Sequence, residues 1–146
     1  MVRTGAVVYA CLVILVVLWV FVAGAMPHTT HARLGGYDLS LETLTTSSAR
    51  EKGLSGRDGL GLHEGMLFVF PKDDRYGFWM KDMKFPIDIL WLDAGYTIVD
   101  TVQAVQPDSY PQVYTPRVSA RYVVELPAGF FVEHSLKIGN TLEILK

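Results

Sequence analysis

The sequence predicts an α+β fold rich in β structure: a compact antiparallel or mixed sheet, or a partly closed barrel, with two short helices, preceded by one N-terminal transmembrane helix. Three observations point there. Short apolar or alternating runs recur along the chain between breaks rich in Gly, Pro and Asp, which is the pattern of strands and turns. Only two stretches read as helical, and both are brief. Residues 6–25 form one uncharged, almost wholly apolar run, the length that a bilayer core of ~30 Å asks of a helix.

The chain has 146 residues, half of them hydrophobic, enough for one domain and a short appendage. Arg3 is the one charged side chain before Pro27, which leaves 12 Lys and Arg against 15 Asp and Glu in the remainder. That slightly acidic balance gives no reason to expect nucleic acid as a partner. Residues 1–26 read as a membrane anchor. A cleaved signal peptide is the rival, since Ala23-Gly24-Ala25 resembles a cleavage site, but the apolar run exceeds the ~7–15 residues usual in a signal peptide. With Arg3 ahead of the run, the expected arrangement is single-pass, with the C-terminal domain outside the cytoplasm. Cys11, the only cysteine, falls inside the run, so neither a disulfide framework nor a cysteine zinc site is available to the domain.

Residues 27–36 read as a polar tether ending in Gly35-Gly36, and residues 37–146 as the domain. His28 and His31 on the tether lack a third ligand nearby, so no metal is expected. Residues 37–45, with Leu39 and Leu41 alternating with polar neighbours, predict the opening strand. Thr46 or Ser47 can cap a short helix that Gly53 ends. Residues 66–70 predict a buried strand stopped by Pro71, followed by a charged turn over 72–75 and a second apolar run, Phe78-Trp79-Met80. Residues 87–92 are apolar on both faces, as in a central strand. Asp93-Ala94-Gly95-Tyr96 is turn chemistry leading into a β-branched strand over 97–105. The proline-rich stretch 106–116 reads as a loop. A strand over 121–126, a helical turn over 130–136 and a last strand over 141–145 complete about six strands.

Several of these segments carry a familiar succession. Gly53-Leu54 with Arg57, Gly65-Met66-Leu67-Phe68-Val69-Phe70 and Phe78-Trp79-Met80-Lys81 come first. Pro86-Ile87-Asp88-Ile89, Val124-Glu125-Leu126-Pro127-Ala128-Gly129 and Ile138-Gly139-Asn140 follow in order. Together they resemble the domain of unknown function 192 family over residues 39–144. The resemblance implies a compact β-rich fold, often preceded by a signal or anchor segment, and implies no activity. Ser55 stands where members often have Met, and Asp82-Met83 where Asn-Thr usually follows the Trp-Met-Lys run, which alters the polar chemistry beside Lys81.

Four residues are candidate ligand contacts: Arg57, Trp79, Lys81 and Asp88. Asp88 shares a strand face with Leu90 and Leu92, and a buried carboxylate must find partners. It is either a ligand-facing group at the mouth of the sheet or a structural one, ion-paired or capping loop amides, and the structural role is the commoner. Trp79 and Lys81 at i and i+2 would project from one face, an indole to stack on a flat ligand and an ammonium to grip an anion. Packing in the core is the plain alternative for Trp79. His63 and Glu64 in a Gly-rich loop are possible acid–base groups without a nucleophile beside them. Glu125, sharing a face with Arg121 and Val123, is accounted for by cross-strand pairing, and His134 reads as a surface residue. Phosphate-loop, helical metal-pair and Gly-x-Ser-x-Gly signatures are absent from the sequence.

The leading reading is therefore a membrane-tethered module binding a small ligand or a peptide, with no cofactor. Two alternatives stand beside it. One is an envelope-acting enzyme using Asp88 or His63 for proton transfer. The other is a structural partner of a membrane complex, docking through Tyr110, Tyr114 and the proline-rich loop.

Overall fold

The computed structural model describes residues 28–146. The expected anchor, residues 1–26, lies outside the described residues, as does Cys11. Among the described residues no helix is long and apolar enough to cross a membrane.

Seven strands form one sheet: β1 (His28–Leu34), β2 (Tyr37–Leu44), β3 (Glu64–Asp74), β4 (Ile87–Leu92), β5 (Ile98–Val105), β6 (Ala120–Pro127) and β7 (Leu142–Ile144). Their order is β5-β4-β6-β3-β2-β1-β7. All pairs are antiparallel except β2 with β3. A parallel pair needs a crossover, and here it is made by helix α1 (Ser47–Lys52) and the loop after it. The second helix, α2 (Phe130–Glu133), follows β6. The sheet is rolled into a half-barrel whose rims meet at one place. Thr97 bridges Thr141, and Ile98 N donates to the Asn140 carbonyl at 2.8 Å.

The largest departure from expectation is at the start. Residues 28–34 are not a tether but β1, paired with β2 over seven residues and with β7 on its other side. Ala32 and Leu34 are buried completely. The two-residue rhythm is real but is carried by Thr, Ala and a single Leu, too weakly apolar to stand out. Gly35 and Gly36, both at positive φ, form the two-residue turn that joins β1 to β2 with Leu34 opposite Tyr37; that geometry is one glycine adopts without strain. β3 likewise runs through Pro71 to Asp74. It does so with a register shift between Val69 and Asp74, where a missing N–H is tolerated.

Elsewhere local chemistry and structure agree. Thr46 caps α1 by accepting from Ala49 N, and Gly53 ends it at φ 47°. Asp93 Oδ1 accepts from Gly95 N and Thr97 N at 2.8 and 3.0 Å, closing the β4–β5 turn. All six residues of β4 are buried, because both faces of the sheet are covered. One face packs Leu41, Leu67, Leu90, Val124 and Leu126 around Phe130 and Phe131 of α2. The other packs Met66, Phe68, Ile87, Ile89, Trp91 and Val123 beneath Leu54 and Met80. That second face, roofed by α1 with its loop and by residues 75–86, holds the site.

A candidate binding cleft on the roofed face

Two roof segments leave a gap between them. α1 and Gly53-Leu54-Ser55 make one wall, and residues 76–79 make the other. Gly53, at a φ of 47° that glycine adopts without strain, turns the first wall over the Phe68 ring. Arg50 pins α1 to the sheet by donating to the Thr45 and Val69 carbonyls at 2.6 and 2.9 Å, with its guanidinium 4.9 Å from the centre of the Phe70 ring. The second wall is held from below. Trp91 Nε1 donates to the Tyr76 carbonyl at 2.9 Å, and Phe78 exchanges two main-chain hydrogen bonds with Tyr114. Farther along, Ser55 Oγ donates to the Lys81 carbonyl at 2.9 Å and Gly56 N to that of Asp82 at 2.8 Å, so the two roof segments are sewn together at one end.

The result is an open cleft of about 220 Å³. Its lining is strongly aromatic. Phe70 and Tyr76 stack at 3.5 Å, Phe78 meets Phe68 edge-on at 4.9 Å, and Trp79, 46% exposed, stands at the mouth.

One charged residue on the sheet beneath also lines this cleft: Glu125 of β6, only 5% exposed. The expected cross-strand pairing does not occur. Arg121 bonds Asp73 instead, and the residues opposite Glu125 are Met66 on β3 and Ile89 on β4, both apolar. Its Oε2 is buried and has no hydrogen-bond partner. Burial pushes the carboxyl up to about 8, against a smaller downward pull from the Arg57 guanidinium, as expected of a carboxylate taken from water without a full counter-charge. Close strand contact holds Glu125 in place. At Gly65, across from β6, a Cβ would lie 2.7 Å from the Glu125 carbonyl oxygen.

The four sequence-derived candidates divide. Trp79 lines the cleft. Arg57 lies beside it, exerting its field on Glu125 while its Nη2 bonds Glu42 Oε2. Lys81 is exposed in an adjoining hollow shared with Ser48, Glu51 and Asp82. Asp88 faces the opposite side of the sheet. Its carboxylate, fully buried, accepts from the amides of Ala104, Gly129 and Phe131 at 2.8, 3.2 and 2.9 Å, tying β5 and the turn into α2 onto β4. His63 is exposed near Asp38, well separated in chain and sheet position from Asp88. Tyr110 and Val113 are about half exposed on the proline-rich loop, whereas Tyr114 is turned inward against Phe78. Among the described residues no three His, Cys, Asp or Glu side chains are grouped as metal ligands.

Glu125 is the residue that sequence reasoning misplaced. Its signal was the setting Val123-Val124-Glu125-Leu126, a lone acid in a run apolar on both faces, which is where a carboxylate lies buried without an ion-pair partner.

A family model described as "Uncharacterized ACR", the domain of unknown function 192, matches residues 30–144. The chain is 36% identical over 83 residues to a UPF0127 protein of Thermococcus gammatolerans, covering 56% of this chain and 52% of that one. It is 30% identical over 83 residues to a UPF0127 protein of Pyrococcus abyssi, covering 53% and 65%. The matches thus span about half to two thirds of those curated relatives. A solved structure from Sinorhizobium meliloti 1021, provisionally named a transcription regulator, superposes with a TM-score of 0.78 at 28% identity, covering 84% of this chain and 98% of that one. A protein of unknown function from Novosphingobium aromaticivorans gives 0.72 at 25% identity, covering 79% and 82%.

Proposed function

The chain belongs to the domain of unknown function 192 family, and we propose that its roofed face binds a small ligand, or one side chain of a peptide, in the aromatic cleft above Glu125. The observation that carries this reading is the unpartnered Glu125 Oε2 beneath that cleft. A buried acceptor without a donor costs roughly 1–3 kcal/mol, and the group is poorly explained as scaffold when Met66 and Ile89 surround it. A concave site with aromatic walls and one convergent polar group is the usual make-up of a small-ligand pocket. At about 220 Å³ it sits below the ~300–1,000 Å³ typical for drug-sized ligands, so the occupant is a fragment-sized group.

The uncharged run over residues 6–25 supports a membrane-anchored setting with the domain outside the cytoplasm. β1 begins at His28, opposite Thr43 and two strands from Leu67. Strands lie ~4.8 Å apart, so the anchor would join the domain about 10 Å from the β3 backbone that carries the cleft.

Ligand-observed NMR with a fragment set tests the site, using the full chain kept in solution with a mild detergent. Hits lost in Trp79→Ala and retained in Val132→Ala, a change at an exposed side chain of α2, support it. No hits, or hits retained equally in both variants, would overturn it.

A further inference from the structure

We propose that the cleft recognises a protonated amine, free or as a lysine side chain of a peptide, by pairing it with the Glu125 carboxylate beneath ring-lined walls. This rests on the cleft being a binding site at all, and it goes further by stating the chemistry of the occupant.

The argument begins with what Glu125 lacks. An oxygen buried and unpartnered calls for a polar partner from outside the chain, and once the carboxyl is ionised that partner must be a donor. The two guanidinium groups nearby are engaged by the chain itself, and the third cation, Lys52, is exposed at the rim next to Glu51. Arg57 is held by Glu42, and Arg50 by the Thr45 and Val69 carbonyls. An anionic ligand would be driven against the carboxyl without a free guanidinium to receive it. An ammonium instead meets the one acidic group beneath the cleft and the exposed Trp79 ring at its mouth, and cation–π attraction grows as water is excluded. Size agrees, because the volume suits an amine on a short stem.

Proton balance follows directly. The free cleft holds Glu125 protonated, burial being the cause. When R–NH3+ enters, the carboxyl O–H loses its proton to solvent and the carboxylate pairs with the ammonium, so one proton is released per amine bound well below pH 8 and about half of one at pH 8. No covalent bond to carbon changes. Arg57 from the loop after α1 acts on Glu125, and the other charged and titratable groups of the cleft are Arg50, Glu51 and Lys52 from α1 and Tyr76 from the opposite wall. Glu51 and Lys52 offset each other in charge at the rim, so the pH response belongs to Glu125.

Titration calorimetry of the full chain with benzylamine, benzyl alcohol and an N-acetylated Gly-Lys-Gly amide tests the assignment, in two buffers of different ionisation enthalpy. Benzylamine is expected to bind about tenfold tighter than benzyl alcohol at pH 8, with amine affinity falling roughly fiftyfold by pH 6 as the proton must be displaced. Glu125→Gln and the apolar Glu125→Met should abolish the amine preference and the proton release. The tighter of benzylamine and the lysine peptide identifies the source, both requiring Glu125. Alcohol binding as well as amine, or an amine preference that survives both substitutions, overturns the assignment while the cleft remains a binding site. Failure of every probe to bind overturns both readings.

Discussion

Replacing Glu125 by Gln should stabilise this protein at neutral pH, and the gain should vanish in acid. The native carboxyl is pushed from 4.5 to about 8 by burial. Between those values the folded state holds a proton that the unfolded chain has released. Fewer protons on the unfolded chain mean that stability falls as pH rises: it is complete below 4.5, declines through the window and levels off above 8. The slope is about 1.4 kcal/mol per pH unit, or roughly 3 kcal/mol by pH 7, an upper bound since a native side chain that relaxes toward the cleft mouth regains water. Gln has the same shape and no proton to lose, so the variant's stability should be flat in this respect. Urea unfolding at pH 5, 6, 7 and 8, with both proteins run side by side, measures the difference, and titrations elsewhere cancel. Within about 1 kcal/mol at pH 5 and separated by about 3 kcal/mol at pH 7 and more at pH 8 is the expected result. Parallel curves across the range would mean that Glu125 is ionised and solvated in the folded protein, and the reasoning about the cleft floor would fail with it.

Removing residues 1–27 should leave the domain's unfolding midpoint in place, whereas removing 1–36 deletes β1. The second change forfeits at least about 3 kcal/mol from the burial of Ala32 and Leu34 alone and leaves β7 without its partner, so circular dichroism should show a domain melting far lower or not folding. Asp88→Ala strips three backbone amides of their acceptor and should lower stability by about 3 kcal/mol or more in urea. Fragment binding in the cleft, on the other face, should persist at temperatures where that variant remains folded.

Much of the fold could be read where a residue's own chemistry decides its conformation. Thr46 and Gly53 delimit α1, Asp93 folds the β4–β5 turn through its own side chain, and the unbroken apolar run of β4 announces a strand covered on both sides. β1 escaped notice because its burial comes from its neighbours: Ala32 reads as core only once β2 and β7 flank it. Gly35-Gly36 was similarly ambiguous, as the same pair serves a flexible linker or a tight hairpin. At the site, Trp79 could be singled out by type. Glu125 could not be placed, because whether an acid in a strand meets a cation or a pair of apolar residues across from it depends on which strands lie beside β6. Here those are β3 and β4, both distant from β6 in sequence, and that neighbourhood is a property of topology.

The meeting of β1 and β7 has a consequence for how the protein is made. β1 is among the first residues of the domain to emerge during synthesis and β7 is nearly the last, yet they are hydrogen-bonded neighbours, and Thr97 meets Thr141 across the closing rim. Before β7 has emerged, the β1–β2 hairpin can form but its outer edge lies open, a bare row of main-chain donors and acceptors. The core around Leu142 cannot close until β7 arrives. Loss of β7 is therefore a lesion of the hairpin that opens the domain, felt at the far end of the domain's sequence from the residues removed.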